Sequence, residues 1–398
     1  LKFADESDIS TAPNEIAVRT VNSGIFMKKP FFGRAVWLAL VLLSTLNPQR
    51  SSHGQGSLAP PGAPAPTMKT LQQIEPRTPL SSLPATITSS GSYYIVSNLV
   101  GSAGSDGIAI AANNVTIDLC GFTLAGPASA LAESGINCGT RSNIFIFRGT
   151  ISGWNGSGIN GSGAKYCRVT DVTAADNGRS GIRVGDYSLV QHCLAERNGL
   201  NLSSQIGITV GAGAIVRDCV VSGHNGASSV GIAGGGNCLI DHCNISGNNG
   251  AGGSGVDPNG GSLVVDCVIA NNLGTTNNVG IFVNSQSHVK HCVISGNSGD
   301  ALRVNDGCFI LENECSGNGR HGINATGSGS RIDGNSLTSN GGYGLQVTTV
   351  SGSNLIIRNS AYNNSLTGYN IASGNKDALI LSPGSAFAST GPWVNFSY

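Results

Sequence analysis

A glycine followed by an aliphatic residue recurs through most of this chain at nearly constant spacing. The pair, or a close variant, stands at Gly107, Gly135, Gly158, Gly181, Gly207, Gly231, Gly255 and Gly280. After Ala301-Leu302 it resumes at Gly322, Gly344 and Gly368, with steps between 21 and 28 residues. A second column runs beside it. Cys193, Cys219, Cys243, Cys267 and Cys292 are continued at the same phase by Asn313, Asn335 and Asn359. An aliphatic residue stands three places before each, from Val190 to Ile356, and a turn such as SGNNG or SGNSG usually follows. One unit reads roughly G-I-x-V, a turn, V-x-x-C-x-I, then S-G-N-x-G. Such short alternating segments are strands. A unit of this length holding two or three strands is one coil of a solenoid. The leucine-rich pattern L-x-x-L-x-L-x-x-N is missing, and a propeller blade is nearly twice as long.

The period therefore predicts an all-β chain: a right-handed, single-stranded parallel β-helix of about 11–12 coils with N- and C-terminal caps. Each coil would pair with the next at ~4.8 Å. Composition agrees. Among 398 residues there are 58 glycines and 38 asparagines, while charged residues make up only 11 %. Glycine and asparagine tolerate the positive φ that tight turns demand. Lys+Arg and Asp+Glu both total 22, so the surface lacks the net positive charge a nucleic-acid partner requires. Glycine does not recur every third residue, which excludes collagen.

The organisation reads as follows. Residues 1–26 lack periodicity and are expected to be an upstream, disordered extension. Residues 27–56 read as a signal peptide, because Lys28, Lys29 and Arg34 precede the apolar run Ala35–Leu46. That run is too short for a transmembrane helix, which needs ~20 residues, and no later segment is apolar enough to span a bilayer. The expected location is therefore extracellular or periplasmic. Residues 57–84 are proline-rich and read as an extended linker. Residues 85–105 are assigned to an N-terminal cap, 106–376 to the β-helix and 377–398 to a C-terminal cap. A monomer is expected.

Eleven cysteines in an exported chain would ordinarily suggest disulfides. Their common phase points instead to a buried ladder of free thiols packing as small hydrophobes. Side chains in a parallel ladder point the same way, which is poor bridging geometry. A local bridge between Cys308 and Cys315 stays open.

Two polar constellations are candidates for function. Just before the cysteine column, successive coils present His192, Asp218, His242, Asp266 and His291, with Glu312 next. Neighbours ~4.8 Å apart could hold a divalent metal such as zinc or calcium, or simply stack as alternating complementary charges. The outward positions of the Gly-Ile strand carry Arg183, Asp257, Phe282, Arg303, Asn324 and Gln346. Here Arg183-Val184-Gly185-Asp186 and Arg303-Val304-Asn305-Asp306 repeat an R-V-x-D pattern. Arg183, Asp186, Asp257, Arg303 and Asp306 suit a surface that meets sugar hydroxyls and carboxylates, although an ordinary solvated face would look similar.

From about Pro84 onward the chain resembles the right-handed β-helix repeat proteins of the pectin-lyase-like superfamily. Its opening coils, GSYYIVSNLVG and DGIAIAANNVTIDLCGFTLAG, are similar to those of exported bacterial members. The resemblance implies the fold and leaves the activity open, since the superfamily includes lyases, hydrolases, epimerases and non-enzymatic proteins. The polygalacturonase-like motifs N-T-D, D-D, G-H-G and R-I-K are missing. Asp257-Pro258-Asn259 keeps two residues of the epimerase-like D-P-H and lacks its histidine. The expectation is a non-catalytic exported protein that presents a surface to a polysaccharide or cell-envelope glycan. A polysaccharide lyase and a periplasmic metal-binding protein are the alternatives.

Overall fold

A computed structural model of the chain describes residues 75–127, 131, 133–199, 206–226, 229–250, 252–274, 278–382 and 391–398. The expected extension, signal peptide and most of the linker lie outside them. Every strand pairing is parallel, and pairs join one turn of chain to the next. One sheet has 13 strands, one per turn, so its first and last strands are 12 turns apart. We call it the single sheet. Among the described residues the other has 26 strands, two in most turns, and we call it the doubled sheet.

Each turn follows from its sequence unit. The G-I-x-V strand lies in the single sheet, with Ile159, Ile182, Ile208, Ile232, Val256 and Ile281 in one fully buried column. The next two strands share the doubled sheet and bury Val216, Ile240 and Val264 on one and Val221, Ile245 and Ile269 on the other. The interior is built from aliphatic columns in register, each turn burying the same face against its neighbours.

Left-handed corners separate the strands. In one coil Gln286 (φ 62°), His291 (φ 55°) and Gly296 (φ 63°) each turn the chain. The residue after each corner points inward, giving three polar columns: Ser287, Cys292 and Asn297 in that coil. A corner takes its backbone groups out of the regular ladder, so those buried groups need side-chain partners. Asparagine supplies a donor and an acceptor at once.

The glycine of the Gly-Ile pair serves a different purpose from the turn role its abundance suggests. It is not among the positive-φ residues. A Cβ on Gly231 would come within 2.4 Å of Ile245 and 3.0 Å of the Asn248 amide nitrogen. Glycine is needed there because an inward methyl, the Gly255 carbonyl of the next coil and the inward asparagine all crowd the backbone.

The N-terminal boundary differs from expectation. Thr78–Leu80, expected to belong to the linker, pairs with Tyr93–Ile95 as a strand of the doubled sheet. Ala85–Ile87, expected to be cap, pairs with Ile108–Ile110 in the single sheet. The repeat thus starts inside the predicted spacer. Pro79 masked this strand in the sequence, yet proline is tolerated at the edge of a sheet, where no ladder bond is lost. At the other end, Asn395–Ser397 adds a rung beneath Ser360–Tyr362.

Candidate functional site

The cysteine column is buried, and all eleven cysteines of the chain are free, Cys308 and Cys315 included. Its thiols do more than fill space. Each donates to the carbonyl two residues earlier: Cys193 to Gln191 at 3.2 Å, Cys219 to Arg217 at 3.1 Å, Cys267 to Val265 at 3.1 Å. Asn335 and Asn359 make the same bond to Asp333 and Ile357. Asparagine can take over from cysteine in one column because both satisfy the same corner carbonyl. Burial pushes the Cys315 thiol up, so it stays protonated and inert.

The corner before that column holds all five candidate metal ligands in line. His192 and His291 each lie between two acids. His192 is 3.7 Å from Asp171 and 3.5 Å from Asp218; His291 is 3.4 Å from Asp266 and 3.0 Å from Glu312. His242 turns instead to Asp241 at 2.5 Å. Among the described residues, Asp241, His242 and Asp266 form a three-ligand group whose ligand atoms all lie within 4.8 Å of one another. Asp241 was missed in the sequence because it sits at the end of a strand and not at the corner. Its carboxylate raises the His242 pKa above the ordinary 6.5. Exchanging Asp241 for asparagine is expected to bring the His242 titration back down, read from its imidazole proton shifts. If the midpoint stays where it was, the ion pair does not exist in solution.

The second constellation divides. Register aligns Arg183, Thr209, Ala233, Asp257, Phe282, Arg303, Asn324 and Gln346 on the single sheet. Arg183 and Arg303 are five rungs apart, about 24 Å at the strand spacing. Asp186 and Asp306 face the next turn, not a common site. Asp186 accepts the Ala212 N–H at 3.0 Å and pairs with Lys165 at 3.1 Å; Asp306 accepts the Ser328 N–H at 2.7 Å. The R-V-x-D aspartates thus fix the following corner.

Asp257, Phe282 and Arg303 do come together. With Val230, Gly252, Gly253, Ser254 and Val279 they line a cavity of about 300 Å3. Burial raises the Asp257 pKa above its ordinary value. Arg303 is braced from below by Asp300, which is fully buried and accepts from its Nη2 at 3.1 Å. Asp300 also accepts the His321 N–H at 3.2 Å and the Asn324 amide at 3.0 Å. The buried Oδ1 of Asn324 has no hydrogen-bond partner. Sequence spacing alone gave no sign of Asp300, which sits three residues before Arg303 at the corner that leads into its strand.

A larger cavity, about 610 Å3, lies near the C-terminal strands against Arg331, Leu355, Lys376 and Trp393. It contains none of the candidate residues. Among the described residues, no helix is long and apolar enough to cross a membrane.

A family model described as the right-handed β-helix region matches residues 201–330 and 279–382. No curated protein matches the sequence. Among solved structures, the A-module of the Azotobacter vinelandii mannuronan C-5 epimerase AlgE4 is similar at 15 % identity and a TM-score of 0.45, over 79 % of this chain and 90 % of that one. The AlgE6 A-module from the same organism gives 13 % identity and a TM-score of 0.48, over 81 % and 88 %. The catalytic domain of a GH87 alpha-1,3-glucanase gives 12 % and 0.42, over 75 % and 64 %.

Proposed function

For a chain that is a right-handed parallel β-helix with a pectin-lyase-like fold, we propose a role as an exported, non-catalytic protein that binds a polysaccharide or cell-envelope glycan through the Asp257–Phe282–Arg303 groove. The observation that carries this reading is the convergence of one acid, one aromatic ring and one braced guanidinium on a single cavity. An aromatic face packs against the C–H surface of a sugar ring. Arginine and aspartate meet its carboxylates and hydroxyls. Export is supported by the basic-then-apolar stretch within residues 27–56.

The same geometry favours binding over hydrolysis. Glycosidic hydrolysis uses two carboxyl groups flanking the scissile bond. Among the described residues, Asp257 is the one acid lining the groove, and Asp300 behind it is buried beneath Arg303. A lyase is the second reading, favoured by the placement in the groove of an acid, Asp257, whose pKa burial raises above its ordinary value.

Arg303→Ala is expected to weaken glycan binding at least about tenfold, the loss of one charge-assisted contact. Calorimetric titration with a panel of acidic and neutral oligosaccharides checks this. Unchanged affinity would sink the groove assignment. Appearance of ultraviolet-absorbing unsaturated products during the titration would replace binding with the lyase reading.

A further inference from the structure

The first corner of each coil is occupied along most of the chain by residues that accept a left-handed backbone readily. Asn114, Asn143, Gly213, Asn237, Gly261 and Gly307 hold that position at φ between 52° and 69°. Gln286 (φ 62°) and Ser353 (φ 52°) also stand there, and two consecutive coils place aromatic residues instead. Tyr166 (φ 55°) and Tyr187 (φ 56°) place large aromatic side chains where the backbone penalises them most. Neither ring gains burial in return, since each is 58 % exposed. They stack on one another with centroids 5.5 Å apart and planes 15° from parallel. The next corner is Gly213, whose Cβ would come within 2.9 Å of the Tyr187 ring, so a bare backbone accommodates that ring.

The pair borders a cleft of about 360 Å3 on the doubled sheet, lined also by Asn143, Phe145 and Arg168. The Arg168 guanidinium lies over the Phe145 ring, 5.4 Å from its centroid. Among the described residues no carboxylate pairs with it, whereas Lys165 beside it is tied to Asp186. Two exposed, stacked rings bordering a cleft whose cation pairs with no carboxylate of the described residues form a surface suited to a ligand.

We propose that this cleft is a second carbohydrate site, on a different sheet from the groove, that takes an acidic sugar. The tyrosine pair and Phe145 supply apolar surface for a pyranose ring, and Arg168 meets its carboxylate. The proposal rests on the carbohydrate-binding reading of the chain, yet uses none of the groove residues.

Because asparagine is the ordinary occupant of the corner, Tyr166→Asn with Tyr187→Asn relieves strain and is expected to fold at least as well as the parent. The full chain, this double variant, Arg168→Gln and Arg303→Ala are titrated with a hexuronic acid tetrasaccharide and with the neutral tetrasaccharide of the same linkage. The expected result is two sites for the acidic probe in the parent. The tyrosine double variant and Arg168→Gln each lose one of them, with affinity there falling at least about tenfold, and Arg303→Ala loses the other. Arg168→Gln is expected to leave the neutral probe unaffected. One site that only Arg303→Ala removes overturns the second site and leaves the groove standing. One site that only the tyrosine variant and Arg168→Gln remove supports the cleft and overturns the groove. Equal loss of acidic and neutral probes in Arg168→Gln overturns the acidic specificity.

Discussion

Replacing Asn297 by alanine is expected to lower the unfolding free energy by about 3–5 kcal/mol. Asn297 is fully enclosed in the third polar column. Its Oδ1 accepts from the backbone N–H and the side-chain amide of Asn272, at 3.1 and 2.8 Å. Its own amide donates to the Ile269 carbonyl at 3.2 Å and to Asn318 Oδ1 at 3.0 Å. Alanine would leave two donors and one carbonyl without partners in a space that water does not reach. Each such orphan costs about 1–3 kcal/mol. Asn225, exposed in the turn between two such columns, is the control, and its replacement should cost less than about 0.5 kcal/mol. Urea unfolding of both variants decides the matter. Equal losses would mean that the ladder does not carry the coils.

Stability is expected to fall by about 3 kcal/mol between pH 6.5 and 4 because of a single buried histidine, and His224→Asn should abolish most of that fall. His224 takes the place of an asparagine in the same column. Its Nδ1 accepts the Asn198 N–H at 3.0 Å, while its Nε2 is buried with no hydrogen-bond partner. Burial lowers its pKa from 6.5 to about 4. Between those values the unfolded chain holds a proton that the folded chain refuses, so acid favours unfolding throughout the window. The contribution is complete above about 6.5 and gone below about 4. His321, also lowered by burial, acts with the same sign and leaves a residual slope in the variant. Chemical denaturation at intervals across this range measures the effect. Parallel profiles for parent and variant would show that His224 is protonated in the folded state.

Which of these features the sequence revealed depended on their periodicity. Gly231, Cys243 and Ile240 recur at fixed phase, and phase alone placed them in stacked turns. The aspartates of R-V-x-D also recur, but Asp186 and Asp306 hold backbone in the next turn, a role that looks identical in sequence to a surface-facing acid. The asparagine column from Asn177 to Asn364 was hidden inside the turn motif S-G-N-x-G, where asparagine already had an explanation. Aligning His224 with Asn198 and Asn248 would have exposed it, since a histidine in a column of buried amides has no turn-forming reason to be there. Tyr166 and Tyr187 were missed for the opposite cause. They stand in a column that was never drawn, because most of its other members are the glycines and asparagines that composition had assigned to turns in general. Asp300 and Arg303 meet through a corner, and strand periodicity says nothing about contacts made there.

The polar columns also govern how such a chain can change length. Each coil addresses its neighbours only through positions that recur once per turn, so its interfaces above and below are nearly interchangeable. Removing or duplicating a whole coil, for example the 24 residues from Gly231 to Ser254, would reconnect every column to a matching partner. A deletion of one residue would put all of them out of phase at once. Length in this protein is therefore quantised, and the distance between the tyrosine cleft and the arginine groove can be reset in steps of one rung. A binding surface spaced in this way can be retuned to a longer or shorter ligand without redesigning either end.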